Sequence, residues 1–216
     1  MKFKIDFKIF IFLILFYFTK QIDKYVLIVF FAFIHELGHL FAGMILGMKP
    51  NKIELKPYGL SISFKILPKD FNEKIIQGNV MELKKIIVAL AGPFVNIVFI
   101  ILFSKYKFNN SLEYIYVNLL LFLFNLLPIY PLDGGRVLKG LLHIKLGKRK
   151  AEKYANNISY ISMMIITAIS SILILELKNI SIFFIVIVLW YLVFKEDIYL
   201  KRKNKIYDLI EKSIEI

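Results

Sequence analysis

Two histidines and a glutamate, in the order His35-Glu36-Leu37-Gly38-His39, lie inside an apolar run from Tyr25 to Gly47 whose only other ionisable side chain is Tyr25. A charged group in hydrocarbon costs at least ~2.5 kcal/mol, so three ionisable residues packed this closely need a partner to justify them. The H-E-x-x-H spacing supplies one. Imidazoles four residues apart stand one above the other on a helix face, about 6 Å along its axis, where both can reach a single zinc ion. The intervening Glu36 then lies beside the position left for water. The pattern is a moderate signal in a soluble helix and a much more specific one inside an apolar segment.

The rest of the chain fits a membrane setting. Its 216 residues are 58% hydrophobic with a mean hydropathy of +0.67, values of a polytopic membrane protein rather than a soluble domain. Apolar segments at roughly 5–19, 25–47, 83–104, 112–127, 157–176 and 180–194 predict an all-α polytopic membrane fold of about six transmembrane helices. The first follows Lys2, Lys4 and Lys8 like a secretory signal, but Phe16 to Lys20 offers no small-residue cleavage site. It is read as a retained span, tilted across the bilayer or lying at its interface. Residues 1–195 form the expected transmembrane domain. Residues 196–216, with Ile206, Leu209, Ile210 and Ile214 at helical spacing, form an expected short cytosolic amphipathic tail.

The formal net charge of +13 does not signal nucleic acid, because the basic residues are confined to segments between apolar runs. The N-terminus, 48–85, 128–156 and the C-terminal stretch 195–216 hold 3, 8, 7 and 6 Lys/Arg, against 2, 2 and 1 in 19–24, 105–111 and 177–179. The alternation places both termini and the two long loops in the cytoplasm, with the lipid bilayer as the surrounding partner. His39 is then about eight residues, ~12 Å, from the cytoplasmic end of its span.

Between the second and third spans, Ile53-Glu54-Leu55-Lys56 and Leu60 to Ile66 alternate apolar with polar around Pro57-Tyr58-Gly59, which predicts a small membrane-associated β-hairpin. Two readings of it stand side by side: an ordinary connection, or a strand edge that pairs with an extended substrate peptide.

A hydrolytic zinc site needs three protein ligands and an open position, and the chain has no cysteine to offer. The candidate third ligand is Asp133, in Asn125-Leu126-Leu127-Pro128-Ile129-Tyr130-Pro131-Leu132-Asp133-Gly134-Gly135. Pro128 and Pro131 cannot continue a helix, and Gly134-Gly135 permits a sharp reversal. The alternative is a loop turn with a solvated aspartate. Ala91-Gly92-Pro93-Phe94-Val95-Asn96 signals close helix packing, with Pro93 freeing a carbonyl that a neighbour must satisfy. Asn96 and Asn125 either hydrogen-bond across helices or, with Pro128, orient a substrate backbone. His143, in a basic segment, is excluded from the site.

The H-E-L-G-H helix, the A-G-P-x-x-N span and the N-x-x-P-x-x-x-L-D-G segment, in that order on separate apolar segments, resemble the site-2 protease family of intramembrane zinc metalloproteases, peptidase family M50. Leu55 to Gly59 and Asn125 to Val137 resemble the sporulation branch most closely, and the likeness covers nearly all of 1–210. The resemblance implies one zinc ion per chain, bound by His35, His39 and Asp133, with Glu36 as general base. It implies cleavage of a membrane-associated protein near the cytoplasmic face of a bacterial membrane. In the sporulation branch the substrate is the pro-sequence of sigma-K on the mother-cell side, and an inhibitory membrane protein is a partner. No cystathionine-β-synthase pair is expected in 196–216. Two other readings remain: a general site-2-type protease acting on anti-sigma factors or remnant signal peptides, and a non-proteolytic zinc-binding membrane protein, which has no need of Glu36.

Overall fold

The computed structural model describes residues 2–5, 17, 22–56, 59–64, 75–106, 108, 110–177 and 181–214. They are mostly helical and fall into two compact units, Met1–Leu126 and Leu127–Ile216.

The first unit contains strand β1 (Lys2–Ile5), helix α1 (Ile22–Ile45), strands β2 (Pro50–Lys56) and β3 (Gly59–Phe64), and helices α2 (Ile75–Lys105) and α3 (Ser111–Asn125). The apolar run around the histidines contains no proline and becomes α1. Asp23 in its first turn complements the helix dipole. The helix stops at Gly47, whose φ of 77° closes a paired cap: Gly47 N–H donates to Met44 O at 3.0 Å and Met48 N–H to Gly43 O at 2.9 Å. Lys84 from α2 satisfies a further end carbonyl, that of Leu46, at 3.0 Å.

Helix α2 lies close against α1. A side-chain carbon at Gly38 would meet Val95 Cγ2 at 2.7 Å and the Ala91 carbonyl oxygen at 3.0 Å, so the absence of one lets the backbones approach. Toward the other end, Phe31 packs edge-on against Phe99 and Phe103 at 5.6 and 5.9 Å between ring centroids, with Leu121 and Tyr114 of α3 closing the cluster. Outward positions such as Phe41, Phe94 and Ile101 are exposed and apolar, as lipid-facing positions should be.

The strands form a sheet in the order β1-β2-β3, with β1 parallel and β3 antiparallel to β2. Pro57 and Tyr58, the expected turn, lie outside the described residues. Strand β1 was not anticipated: Lys2 and Lys4 read as the flank of a first span, although Lys-Phe-Lys-Ile also has the two-residue alternation of a strand. Apart from Ile5, which ends β1, and the helical Tyr17, the expected span at 5–19 lies outside the described residues.

The second unit contains the segment Leu127–Leu132 and helices α4 (Asp133–Leu146), α5 (Lys148–Leu177) and α6 (Ser181–Ile214). Helix α3 ends at Asn125 rather than 127 because Leu127 precedes a proline, which disfavours helical backbone there. The reversal expected at Gly134-Gly135 occurs earlier instead, in Leu127–Leu132, where Ile129 N–H donates to Leu127 O at 2.7 Å and Leu132 N–H to Ile129 O at 2.8 Å. The Tyr130–Pro131 peptide is cis. Gly134 and Gly135 belong to the first turn of α4, and the position of an added carbon on Gly135 is taken up by the backbone of Ile129 and Tyr130.

Helices α5 and α6 pack through Met163, Leu189 and Val193, all fully buried, and Trp190 Nε1 donates to Thr167 Oγ1 at 3.1 Å. The expected span at 180–194 and tail at 196–216 are one continuous helix. Phe194-Lys195-Glu196-Asp197 contains no breaker, and the Asp197–Lys201 pair at 2.7 Å bridges successive turns.

Among the described residues, three helical segments are long and apolar enough to cross a membrane: Ile22–Ile45, Asn79–Lys105 and Lys148–Glu176. The 15 residues of α3 extend ~22 Å, short of the ~30 Å hydrocarbon core, so it does not meet the length of a straight span.

Candidate metal centre

Helix α1 places His35 and His39 on one face, each 3% exposed, with their Nε2 atoms 3.2 Å apart and the rings nearly perpendicular. The partners of the other ring nitrogens decide the chemistry. His39 Nδ1 lies 2.7 Å from the backbone carbonyl oxygen of Val88, which can only accept, so Nδ1 carries the proton and Nε2 of the neutral ring is bare. His35 Nδ1 donates to Asn96 Oδ1 at 3.3 Å, which leaves its Nε2 bare as well.

The two unprotonated Nε2 atoms face each other at 3.2 Å, a separation at which both can reach one ion. Opposite them α2 contributes Gly92, where a side-chain carbon would sit 2.5 Å from each Nε2. The glycine therefore keeps open the space that both lone pairs share. Two imidazoles with oriented outer nitrogens supply two of the donors that a zinc site needs. The residues fit the ion.

Glu36 is half-buried on the same turn of α1. Asn96 is fully buried on α2. Its oxygen orients His35, and its Nδ2 has no hydrogen-bond partner among the described residues. The sequence suggested helix bridging or substrate contact for Asn96; the fold gives it the outer hydrogen bond of a candidate ligand. The carbonyl expected to be freed by Pro93 is that of Ala89, four residues back, yet the oxygen that receives His39 is that of Val88. No residue type announces a backbone acceptor, so nothing in the sequence identified Val88. Asn125, by contrast, turns its amide onto its own helix, donating to Leu121 O at 3.0 Å.

In the second unit, Asp133 is 4% exposed and is the first residue of α4. Asp133 lies at the positive end of the helix, with its Oδ1 3.5 Å from Arg136 Nη1. Pro128 is exposed, and His143 lies in the last turn of α4.

A family model described as Peptidase family M50 matches residues 104–169, the stretch that includes Asp133. Zinc metalloprotease MJ0392 of Methanocaldococcus jannaschii is 32% identical over 163 residues, covering 70% of this chain and 44% of that protein. The chain thus spans less than half the length of this curated relative. The solved structure of a site-2 protease from Methanocaldococcus jannaschii shares the fold at a TM-score of 0.60, with 23% identity and 91% of each chain covered. The described part of the chain is mostly helical, with three helical segments long and apolar enough to cross a membrane and a buried histidine pair on one of them. The chain is thus similar to the Peptidase family M50 model over 104–169 and to a zinc metalloprotease over 163 residues, and it shares the fold of a solved site-2 protease.

Proposed function

We propose that this chain is an intramembrane zinc metalloendopeptidase whose ion is held by His35, His39 and Asp133 and whose general base is Glu36. The observation that carries the reading is the pair of bare Nε2 atoms 3.2 Å apart beneath the side-chain-free Gly92. Val88 O and Asn96 Oδ1 orient the two imidazoles, and Glu36 on the same turn of the helix is the carboxylate we assign to proton transfer. Zinc, when bound, supplies the Lewis acidity that makes water a nucleophile near neutral pH. Glu36 takes the proton from the attacking water and returns it to the amine nitrogen as the peptide C–N bond breaks. The buried Asn96 Nδ2 is a donor suited to a substrate carbonyl, with Asn125 and Pro128 as further contacts.

The substrate is a membrane-associated protein cleaved in extended form, because a helix shields its own carbonyls. Strand β3 pairs only with β2 among the described residues, and its other edge suits such a segment. The basic segments flanking the apolar ones support cytoplasmic termini and access from that side. The finer reading, removal of a sigma-factor pro-sequence under control of an inhibitory membrane protein, rests on the likeness of Leu55–Gly59 and Asn125–Val137 to the sporulation branch.

The test is co-expression of the full chain with a candidate membrane-associated precursor, comparing wild type with Glu36→Gln. Cleavage by wild type alone supports the proposal. Equal cleavage by the variant removes Glu36 as base, and a zinc-bound wild type that cleaves no peptide in any precursor reduces the chain to a zinc-binding membrane protein.

A further inference from the structure

The second unit contains a buried ionic chain that peptide hydrolysis does not use. Glu152 on α5 is 5% exposed. Lys203 of α6 donates to its Oε1 at 2.5 Å, and Lys139 of α4 places Nζ 3.8 Å from the same oxygen. The ammonium of Lys139 also lies 4.2 Å from the centre of the Tyr130 ring. Tyr130 belongs to the segment that delivers Asp133. Its N–H donates to Ser159 Oγ of α5 at 3.0 Å, and the Ile129–Tyr130 backbone rests on Gly135 in the first turn of α4. Ile129 is completely buried.

Three helices and the turn before Asp133 therefore meet around Glu152, and Glu196 of α6 lies close enough to interact with the same two lysines. Desolvation offsets most of the Coulomb gain of a buried ion pair, so such a cluster is poorly explained as a source of stability. Its geometry is better explained by what it orients. Glu152 helps to hold Lys139 above the Tyr130 ring, and removing its charge leaves Glu196 as the remaining carboxylate facing that lysine.

We propose that Glu152 is a positioning residue for Asp133: with Lys139 and Lys203 it ties α6 to the Tyr130–Asp133 segment, so that the placement of the C-terminal helix sets the aim of the aspartyl carboxylate. The inference rests on Asp133 being a zinc ligand. It makes α6 the element through which an event at the C-terminal end of the chain reaches the metal.

The test measures zinc retention by the detergent-solubilised full chain against a competing chelator, alongside the thermal midpoint. Glu152→Gln and Lys203→Met are each expected to weaken retention about 2- to 30-fold, the usual range for coupling through a packed network. The double variant should lose no more than the worse single one, and Lys203→Arg, which can still pair with Glu152, should restore retention. Arg149→Gln removes a solvent-exposed α5–α6 pair with Asp208 and should leave retention unchanged. If Glu152→Gln unfolds the chain, Lys203→Met compared with Lys203→Arg carries the test alone. Unchanged retention in Lys203→Met, or an equal loss in Arg149→Gln, overturns the positioning role while zinc binding by wild type stands. A wild-type chain that binds no zinc overturns both.

Discussion

His39 donates its Nδ1 proton to the backbone carbonyl of Val88 across 2.7 Å, and this contact between α1 and α2 determines which ring nitrogen is left to bind a cation. A carbonyl cannot reverse the bond, so the tautomer of His39 is built into the packing of the two helices. His35 depends on a side chain, Asn96, for the same service.

That difference makes Asn96 testable. Asn96→Leu removes the acceptor for His35 Nδ1 and frees the ring to take either tautomer. Zinc affinity is expected to fall about 10- to 100-fold, as for other outer hydrogen-bond partners of metal ligands. Titration with zinc in the presence of a chromophoric chelator measures it; unchanged affinity would show that His35 is oriented by something else.

Gly92→Ala places a methyl 2.5 Å from both Nε2 atoms. The rings are held by Val88 and Asn96, so they yield only at a cost of about 1–3 kcal/mol of overpacking. We expect a chain that still folds, with a lowered thermal midpoint and no stoichiometric zinc. Metal analysis of the purified variant checks this, and a full complement of zinc would disprove the open space between the nitrogens.

Asp133→Asn keeps the shape of the α4 N-terminus while removing the charge that a zinc ligand brings. Zinc content should fall well below one per chain with little change in helicity by circular dichroism. Retention of the ion at wild-type affinity would exclude Asp133 as a ligand.

Two adjacent carboxylates on α6 respond oppositely to pH. Burial, reinforced by the nearby Glu152, pushes the Glu196 carboxyl above the ordinary range despite the neighbouring lysines. Burial also acts to raise Asp197, but hydrogen bonds from Lys201 and Asn156 outweigh it and hold this carboxyl low. The Asp197 contribution is therefore present above the ordinary carboxylate value and is lost as pH falls through the lower folded one. Glu196 instead weakens the fold at neutral pH and is relieved on protonation. Asp197→Asn should destabilise the chain at neutral pH by more than the roughly 0.3–0.5 kcal/mol of a fully exposed pair one turn apart, because Asp197 is partly covered and also accepts from Asn156, and by nothing in strong acid. Glu196→Gln should stabilise at neutral pH and lose that advantage on acidification. Chemical denaturation at a series of pH values separates the two, and parallel profiles would refute the assignment.

Much of this protein is legible without coordinates because its solvent is lipid. Hydrocarbon penalises ionisable groups so strongly that His35, Glu36 and His39 in an apolar run make a metal site the expectation, and the missing cysteines narrow its ligands to imidazole and carboxylate. Helices α1 and α2 were visible for the same reason, as long apolar runs. Elements decided by local chemistry at the edge of that solvent were harder to read. Lys2–Ile5 looked like a basic flank and is a strand, because a four-residue alternation acquires meaning only when β2 lies alongside it. Gly134-Gly135 looked like a turn and is the start of α4, because the backbone of Ile129–Tyr130 needs the space that a side chain on Gly135 would fill.

The residue types and their order determined that two stacked imidazoles and a carboxylate share one apolar helix. Which nitrogens face each other, that a main-chain oxygen 49 residues away fixes one tautomer, and that Gly92 leaves room above both rings were decided only by the packing of α1 against α2. Hydrogen bonds to backbone carbonyls and the absence of a side chain depend on where two helices cross, and a crossing is set by the whole interface rather than by any one residue in it.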